Sequence, residues 1–220
     1  MFISYYQISE QSFLIDYGSL INIETNNKVI THFKYIEKLN YKFIFNVVPS
    51  FNKLLIQFDP YYKKKIIKLL DEIKFIKNHQ KYSLRKHIIE ICYDHEFALD
   101  FKQIEKYSNI NFNQFIDIHL KTKFIAFMIG FLPGLPFLGK MNFNYKIPRI
   151  ISPRKKVPKG SVGIVDNLCV IYPNESPGGW NIIGKTKKKL FDLDYSKLSI
   201  ISPGDEVKFK KISKKDFLSK

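Results

Sequence analysis

Apolar and polar positions follow one another along the first part of the chain in patterns that mark out its elements. Phe2 to Tyr6 and Ser12 to Tyr17 are short strand-like runs, the second ended by Gly18. From Glu24 through Lys38, Val29, Ile30, Phe33 and Ile36 recur at helical intervals, which predicts a helix. Tyr41 to Val48, stopped by Pro49, and Lys53 to Phe58, bounded by Asp59 and Pro60, again read as strands. Tyr61 to Phe75 gathers Ile66, Ile67, Leu69, Leu70 and Ile73 on one helical face and lysines on the other. Strand, strand, helix, strand, strand, helix predicts a small α/β layer with its helices on one face of a sheet.

Asn78 to Ser83 is polar and reads as a linker, so the chain divides into domains of residues 1–82 and 83–220. His87 to Tyr93 is strand-like, while Phe97 to Tyr107 and Asn113 to Lys121 are helical, with Asn109 or Asn111 as a cap. After Phe124 the pattern changes. Short apolar runs are separated by turns such as Leu132-Pro133-Gly134, Val157-Pro158-Lys159-Gly160 and Ser176-Pro177-Gly178-Gly179, the punctuation of a compact β barrel or sandwich. The basic tail, Lys210 to Lys220, is expected to fray. The fold class is α+β: a small N-terminal α/β domain, then a β-rich domain that includes its own leading helices.

Composition narrows the function. No uncharged apolar run approaches the length of a membrane span, and Met1 to Glu10 lacks the build of a signal peptide, so a cytoplasmic location and no membrane association are expected. Cys92 and Cys169 have no metal-ligand spacing and read as free thiols, and His32, His79, His87 and His95 form no metal pair; no metal is expected. The net charge of +16 raises nucleic-acid binding as a function class. Against it, the lysines are dispersed, and Arg85, Arg149 and Arg154 are the chain's arginines, although the guanidinium fork is the better phosphate reader. A lysine-rich composition throughout accounts for the charge.

Several motifs run in fixed order through the second domain. Phe131 to Gly139 resembles F-x-P-G-F-P-Y-L-G, and Pro148-Arg149 followed by Pro153 to Ile164 resembles P-R…P-R-x-x-V-P-x-G-S-V-G-I. Ile171 to Pro173, Ser176 to Trp180 and Ile183 to Thr186 resemble I-Y-P-x-x-S-P-G-G-W-x-x-I-G-R-T, with Leu190 to Asp192 and Pro203 to Asp205 completing the series. Cys92-Tyr93 with Glu96-Phe97 and Asp100 is similar to C-Y-G-G-E-F-G-P-D-L, and His119 falls where I-x-L-H is found. On these motifs the chain resembles the family that holds the B subunits of 5-oxoprolinases, allophanate hydrolase subunit 1 and kinase A inhibitor-like proteins. The resemblance implies that the second domain is a cyclophilin-like β barrel. It implies a subunit of an ATP-dependent enzyme, inactive alone, that joins the C and A subunits of a 5-oxoprolinase, the first of them carboxyltransferase-like, to convert 5-oxo-L-proline to L-glutamate. Within the same family, the alternatives are a binding protein that inhibits a sporulation-type histidine kinase and a part of a urea- or allophanate-metabolising enzyme. The chain departs from the motifs at Tyr93-Asp94-His95-Glu96 in place of Y-G-G-E, at Ala98-Leu99-Asp100 in place of G-P-D, at Asn167 to Val170, and at Lys185 in place of arginine.

Candidate chemistry follows. Glu96, Asp100 and His119 are candidate catalytic residues, a proton-handling or substrate-orienting set; the competing reading is helix capping and surface charge for the acids and a hydrogen-bonded core position for the histidine. Arg149 and Arg154, in proline-rimmed loops, read either as a clamp for a planar carboxylate or as ion pairs pinning those loops. With Lys185 they are the candidate substrate contacts. Gly179 to Thr186 also fits G-x-x-x-x-G-K-[ST], but Trp180, Ile182 and Ile183 call for burial where a phosphate cradle needs small residues, so ATP is expected to serve the complex without a phosphate loop here.

Overall fold

A computed structural model describes residues 4–76, 85–139, 141, 145–194 and 198–219. The chain divides into two compact units, 1–84 and 85–220. The linker read at Asn78 to Ser83 lies outside the described residues.

The first unit runs β1 (Ser4–Ser9), β2 (Ser12–Asp16), α1 (Ile23–Leu39), β3 (Ile44–Pro49), β4 (Lys53–Phe58), a 3-10 turn (Pro60–Tyr62) and α2 (Lys63–Ile73). Its sheet has the order β1-β2-β4-β3 and is antiparallel throughout. Register explains the core. Phe13 stands opposite Ile56 and Ile15 opposite Leu54, so the alternate apolar residues share one face. Val29, Phe33 and Ile36 of α1 and Ile66, Leu69, Leu70 and Ile73 of α2 bury that face. Asn22 starts α1 by accepting from the Thr25 N–H, and Asn40, in left-handed backbone, ends it.

The second unit contains β5 (Lys86–Ile91), α3 (Phe101–Ser108), α4 (Phe112–Lys121), β6 (Phe124–Ile129), β7 (Pro136–Gly139), β8 (Arg154–Val157), β9 (Ser161–Val165), β10 (Leu168–Ile171), β11 (Ser176–Gly178), β12 (Asn181–Lys185), β13 (Glu206–Lys211) and α5 (Lys214–Ser219). Seven strands form one sheet in the order β12-β9-β10-β7-β6-β13-β5. The sheet curls until its two edges meet in a single rung: the Cys92 N–H donates to Lys185 O (2.9 Å) and the Lys185 N–H donates to Cys92 O (3.0 Å). Gly184 permits this approach, since a Cβ there would stand 2.6 Å from Cys92 O. Inside lie Ile89, Ile91, Phe124, Leu138, Val162, Ile164 and Phe209, joined by Ile104 of α3 and Phe112, Phe115 and Ile116 of α4. The β8–β11 ribbon accompanies a second core of Leu135, Val157, Val170, Tyr172, Trp180 and Ile182.

The α+β class and the barrel expected from the sequence are what the structure shows. Asn111 is the cap of α4, closing a capping box with Gln114, while Asn109 is the left-handed residue that ends α3. The tail differs from expectation. Lys210 and Lys211 complete β13, in register with Glu90 and Ile91 of β5, and Phe217 of α5 is buried with its ring 4.7 Å from that of Phe97. The exposed lysines of the tail, Lys210, Lys211 and Lys215, hid the buried aromatic among them.

Candidate functional site

The site begins with a carboxylate that has left its helix. Asp100 stands at the N-terminus of α3 but makes no side-chain capping bond there. Its Oδ1 accepts from Arg154 Nη2 at 2.6 Å and its Oδ2 accepts from the Ile182 N–H at 2.7 Å. Its own N–H donates to Ile182 O at 3.0 Å. Asp100 therefore ties α3 to β12 and holds the guanidinium of Arg154, which opens β8. The carboxylate is 7% exposed. Arg154 Nη1 is buried and has no hydrogen-bond partner among the described residues. A buried donor without an acceptor carries a desolvation cost of about 1–3 kcal/mol, more when charged, so this atom is poised to take an oxygen ligand.

Arg149 is fixed by its neighbours. Pro148 O accepts from Asn181 Nδ2 (2.8 Å), and the Ile150 N–H donates to Gly179 O (3.0 Å). These bonds hold the Arg149 guanidinium 5.9 Å from the centre of the Trp180 ring. Among the described residues Arg149 has no carboxylate within ion-pair distance. It lines a cleft of about 160 Å3 with Gln103 and Tyr107 of α3, Ile150, Ile151 and Asn181. Beneath lies Tyr172, whose hydroxyl accepts from the Trp180 N–H. Burial pushes Tyr172 up to about 12, and the charges of Arg149 and Arg154 both pull against that rise, so the two arginines share one neighbourhood. Gly178 is needed here, because a Cβ would meet the Tyr172 hydroxyl at 2.3 Å. Two guanidinium groups against the one carboxylate of Asp100 leave a positive locus walled by aromatic rings. Its chemistry suits a small planar oxyanion.

The remaining candidates sit elsewhere. His119 is fully buried on α4; its Nδ1 shares a 2.7 Å hydrogen bond with the Tyr93 hydroxyl, and its Nε2 lies 3.6 Å from Cys169 Sγ. Burial pushes His119 down to about 3 and holds the Cys169 thiol well above its usual value. Glu96 is at the surface, 2.5 Å from Lys214 Nζ of α5, which also pairs with Asp94. Lys185 forms the closing rung of the barrel, with its ammonium 5.9 Å from the centre of the Phe97 ring. Asp100 and Arg154 are thus in direct contact, Arg149 is their neighbour around Tyr172, and Glu96, His119 and Lys185 have other partners. Gln103, Tyr107 and Asn181 were not singled out in the sequence; an asparagine opening the apolar run Ile182-Ile183 is the signal that could have pointed to one of them.

Within Gly179 to Thr186, Asn181–Lys185 form β12, with Trp180, Ile182 and Ile183 buried and no helix directly following among the described residues. These residues do not fit a phosphate cradle. Asp205, 2% exposed, accepts at Oδ2 from Arg85 (2.9 Å) and the Ser202 N–H (2.8 Å) and lies 2.9 Å from His87 Nε2, so the Pro203-Gly204-Asp205 motif pins the start of β5. Among the described residues no group of three or more His, Cys, Asp or Glu is placed to hold a metal ion, and no helix is long and apolar enough to cross a membrane.

The chain belongs to the family described as carboxyltransferase domain, subdomain C and D, which it matches over residues 3–201. Among individual proteins, it is 34% identical over 224 residues to the B subunit of the 5-oxoprolinase of Bacillus subtilis (strain 168), spanning 96% of this chain and 93% of that one. It is 39% identical over 125 residues to the B subunit of the 5-oxoprolinase of Haemophilus influenzae, covering 56% of this chain and 59% of that one. The crystal structure of TTHA0988 matches its fold with a TM-score of 0.81 at 24% identity, over 92% of this chain. That match takes in 40% of the TTHA0988 chain, so this chain spans about two fifths of that longer polypeptide.

Proposed function

We propose that this chain is the B subunit of a 5-oxoprolinase, acting with the C and A subunits as its partners to open 5-oxo-L-proline to L-glutamate at the expense of ATP. The observation that carries the reading is the end-to-end likeness to a relative named as the B subunit of 5-oxoprolinase. The arginine locus supports it, because 5-oxoproline carries one carboxylate on a small ring. In ring opening, the amide C–N bond breaks, water supplies hydroxyl to the carbonyl carbon, and the nitrogen takes up the protons. Here Arg149 and the free Nη1 of Arg154 take the substrate carboxylate, and Trp180 walls the ring. Asp100 acts through Arg154, as a positioning residue. Glu96, His119 and Lys185 serve the tail contact, the core and the barrel seam. ATP is handled on the partner subunits.

The test is reconstitution with the partner subunits and an assay for ATP-dependent formation of glutamate from 5-oxoproline. Omitting this chain is expected to abolish turnover. Arg149→Ala is expected to raise KM about tenfold or more, the loss of roughly 1.4 kcal/mol or more of binding, with the complex still assembling on gel filtration. A verified complex without turnover would reject the substrate.

A further inference from the structure

The barrel closes by one rung and then opens. On β5, backbone groups alternate in direction. Arg85 O accepts from the Glu206 N–H and Ile91 O from the Ile212 N–H, so odd-numbered residues face β13. Even-numbered residues face the other way, and Cys92 proves it by pairing with Lys185 on β12. By the same alternation, the N–H and C=O of Lys86 and Ile88 point away from β13, where no strand follows β5 among the described residues. The opposite edge does not continue alongside. After Lys185 the strand goes on pairing with β9, the Thr186 N–H donating to Gly160 O (2.8 Å), and no backbone bond joins it to Lys86 or Ile88 among the described residues. Beside this seam, on the outward face of β5, lies a cleft of about 360 Å3 lined by Ile88, Glu90, Lys187, Lys188, Lys210 and Phe217 among others.

We infer that this seam accepts an extended acidic segment of a partner polypeptide as an added β-strand. Lys86 and Ile88 supply the unpaired backbone edge, and an incoming strand extends the ladder that the Cys92–Lys185 rung begins. Charge selects the partner. Lys187, Lys188 and Lys210 flank the cleft against Glu90, which is 3.3 Å from Lys210. The Lys188 N–H donates to Thr186 Oγ1 (3.1 Å), a turn that presents both Lys187 and Lys188 to solvent. Side chains on the outward face of β5 include Ile88, 69% exposed, whereas Ile89 and Ile91 on the inward face are fully buried in the barrel core. An added strand therefore has acidic residues outward among the lysines and aliphatic residues inward beside those isoleucines, in strict alternation. A folded helix or a nucleic acid meets the charge but not the edge. The inference does not depend on the enzymatic reading.

The experiment uses the full chain and a fluorescein-labelled peptide of alternating glutamate and valine, followed by anisotropy, with amide exchange read by NMR. The peptide is expected to bind saturably and to slow exchange of the Lys86 and Ile88 amide protons. Lys187→Glu combined with Lys210→Glu, both at exposed positions, is expected to weaken binding at least tenfold. Methylating the amides of one alternate set of peptide residues is expected to abolish binding, and methylating the other set to leave it intact. Equal binding of both methylated peptides, or unchanged exchange at Ile88, would reduce the contact to nonspecific charge attraction and overturn the inference. So would displacement of the peptide by a single-stranded oligonucleotide that binds more tightly.

Discussion

Asp100 shows how a residue's position and its work separate. It stands where a helix cap belongs, yet both oxygens are engaged by Arg154 and the Ile182 N–H. Removing one member of a buried pair leaves the other charge uncompensated. Arg154 keeps 28% of its side chain in solvent, so Asp100→Asn is expected to cost about 3 kcal/mol, the low end for such pairs, read as a lowered urea midpoint. Arg154→Lys is not expected to restore function in the reconstituted enzyme, because an ammonium does not reproduce the fork. His119 gives a different prediction. Burial holds its pKa at about 3, and that of His32, bonded to the Tyr17 hydroxyl, at about 4. Between those values and the ordinary 6.5 the unfolded chain binds protons that the folded chain does not. Stability is thus full above about pH 6.5 and falls as pH drops toward 3, by roughly 1 kcal/mol per pH unit for each histidine. Urea midpoints compared at pH 7.5 and pH 5 are expected to show the loss, and His119→Gln to shrink it. The arginine pair was legible in the sequence because arginine is scarce there. For His119 the sequence left a proton-handling role and a hydrogen-bonded core position both open, since burial is a property of the assembled barrel and not of the residues beside it.

Among the elements, β12 has the most demanding neighbours. Asn181 reaches Pro148 O and Ile164 O, Ile182 grips Asp100 at both N–H and C=O, and Lys185 closes the barrel. Gly184 makes the last of these possible. Gly184→Ala sets a methyl 2.6 Å from Cys92 O and 3.1 Å from the Ile91 side chain. The seam is then forced apart, at an expected cost of about 1–3 kcal/mol, and exchange of the Cys92 and Lys185 amide protons is expected to quicken while that of β9 and β10 stays slow. Sequence periodicity marked β4, α2 and α4 well, because each shows one clear apolar face. It could not show that β5 and β12 meet, since they are distant in sequence and share a single rung. The glycines of Gly179 to Thr186 imitated a phosphate loop for a related reason: the spacing that wraps a phosphate also admits a close strand crossing, and the strands beneath decide between them.

At the scale of the whole molecule, charge is the feature the sequence stated most openly. Thirty-six basic residues against twenty acidic ones leave +16, and the excess is spread over both units. Such a chain repels itself when compact. Since the screening length falls to about 8 Å at physiological ionic strength, raising sodium chloride from 50 to 300 mM is expected to raise the thermal midpoint by roughly 2–4 °C, on the scale set by about 1 kcal/mol in a protein of this size. A fall with salt would show that attractive pairs such as Lys214–Glu96 outweigh the repulsion. The β-rich character of the second part of the chain was also legible, from the change in glycine and proline spacing after Phe124.

An open strand edge is ordinarily an aggregation hazard, because copies of the same protein can zip together along it. In this chain the hazard and its remedy occupy the same seam. Two copies meeting edge to edge would bring Lys187, Lys188 and Lys210 of one against the same lysines of the other, so like charge opposes that pairing while leaving the edge itself unblocked. The protection is colloidal and not steric, and it weakens as salt rises.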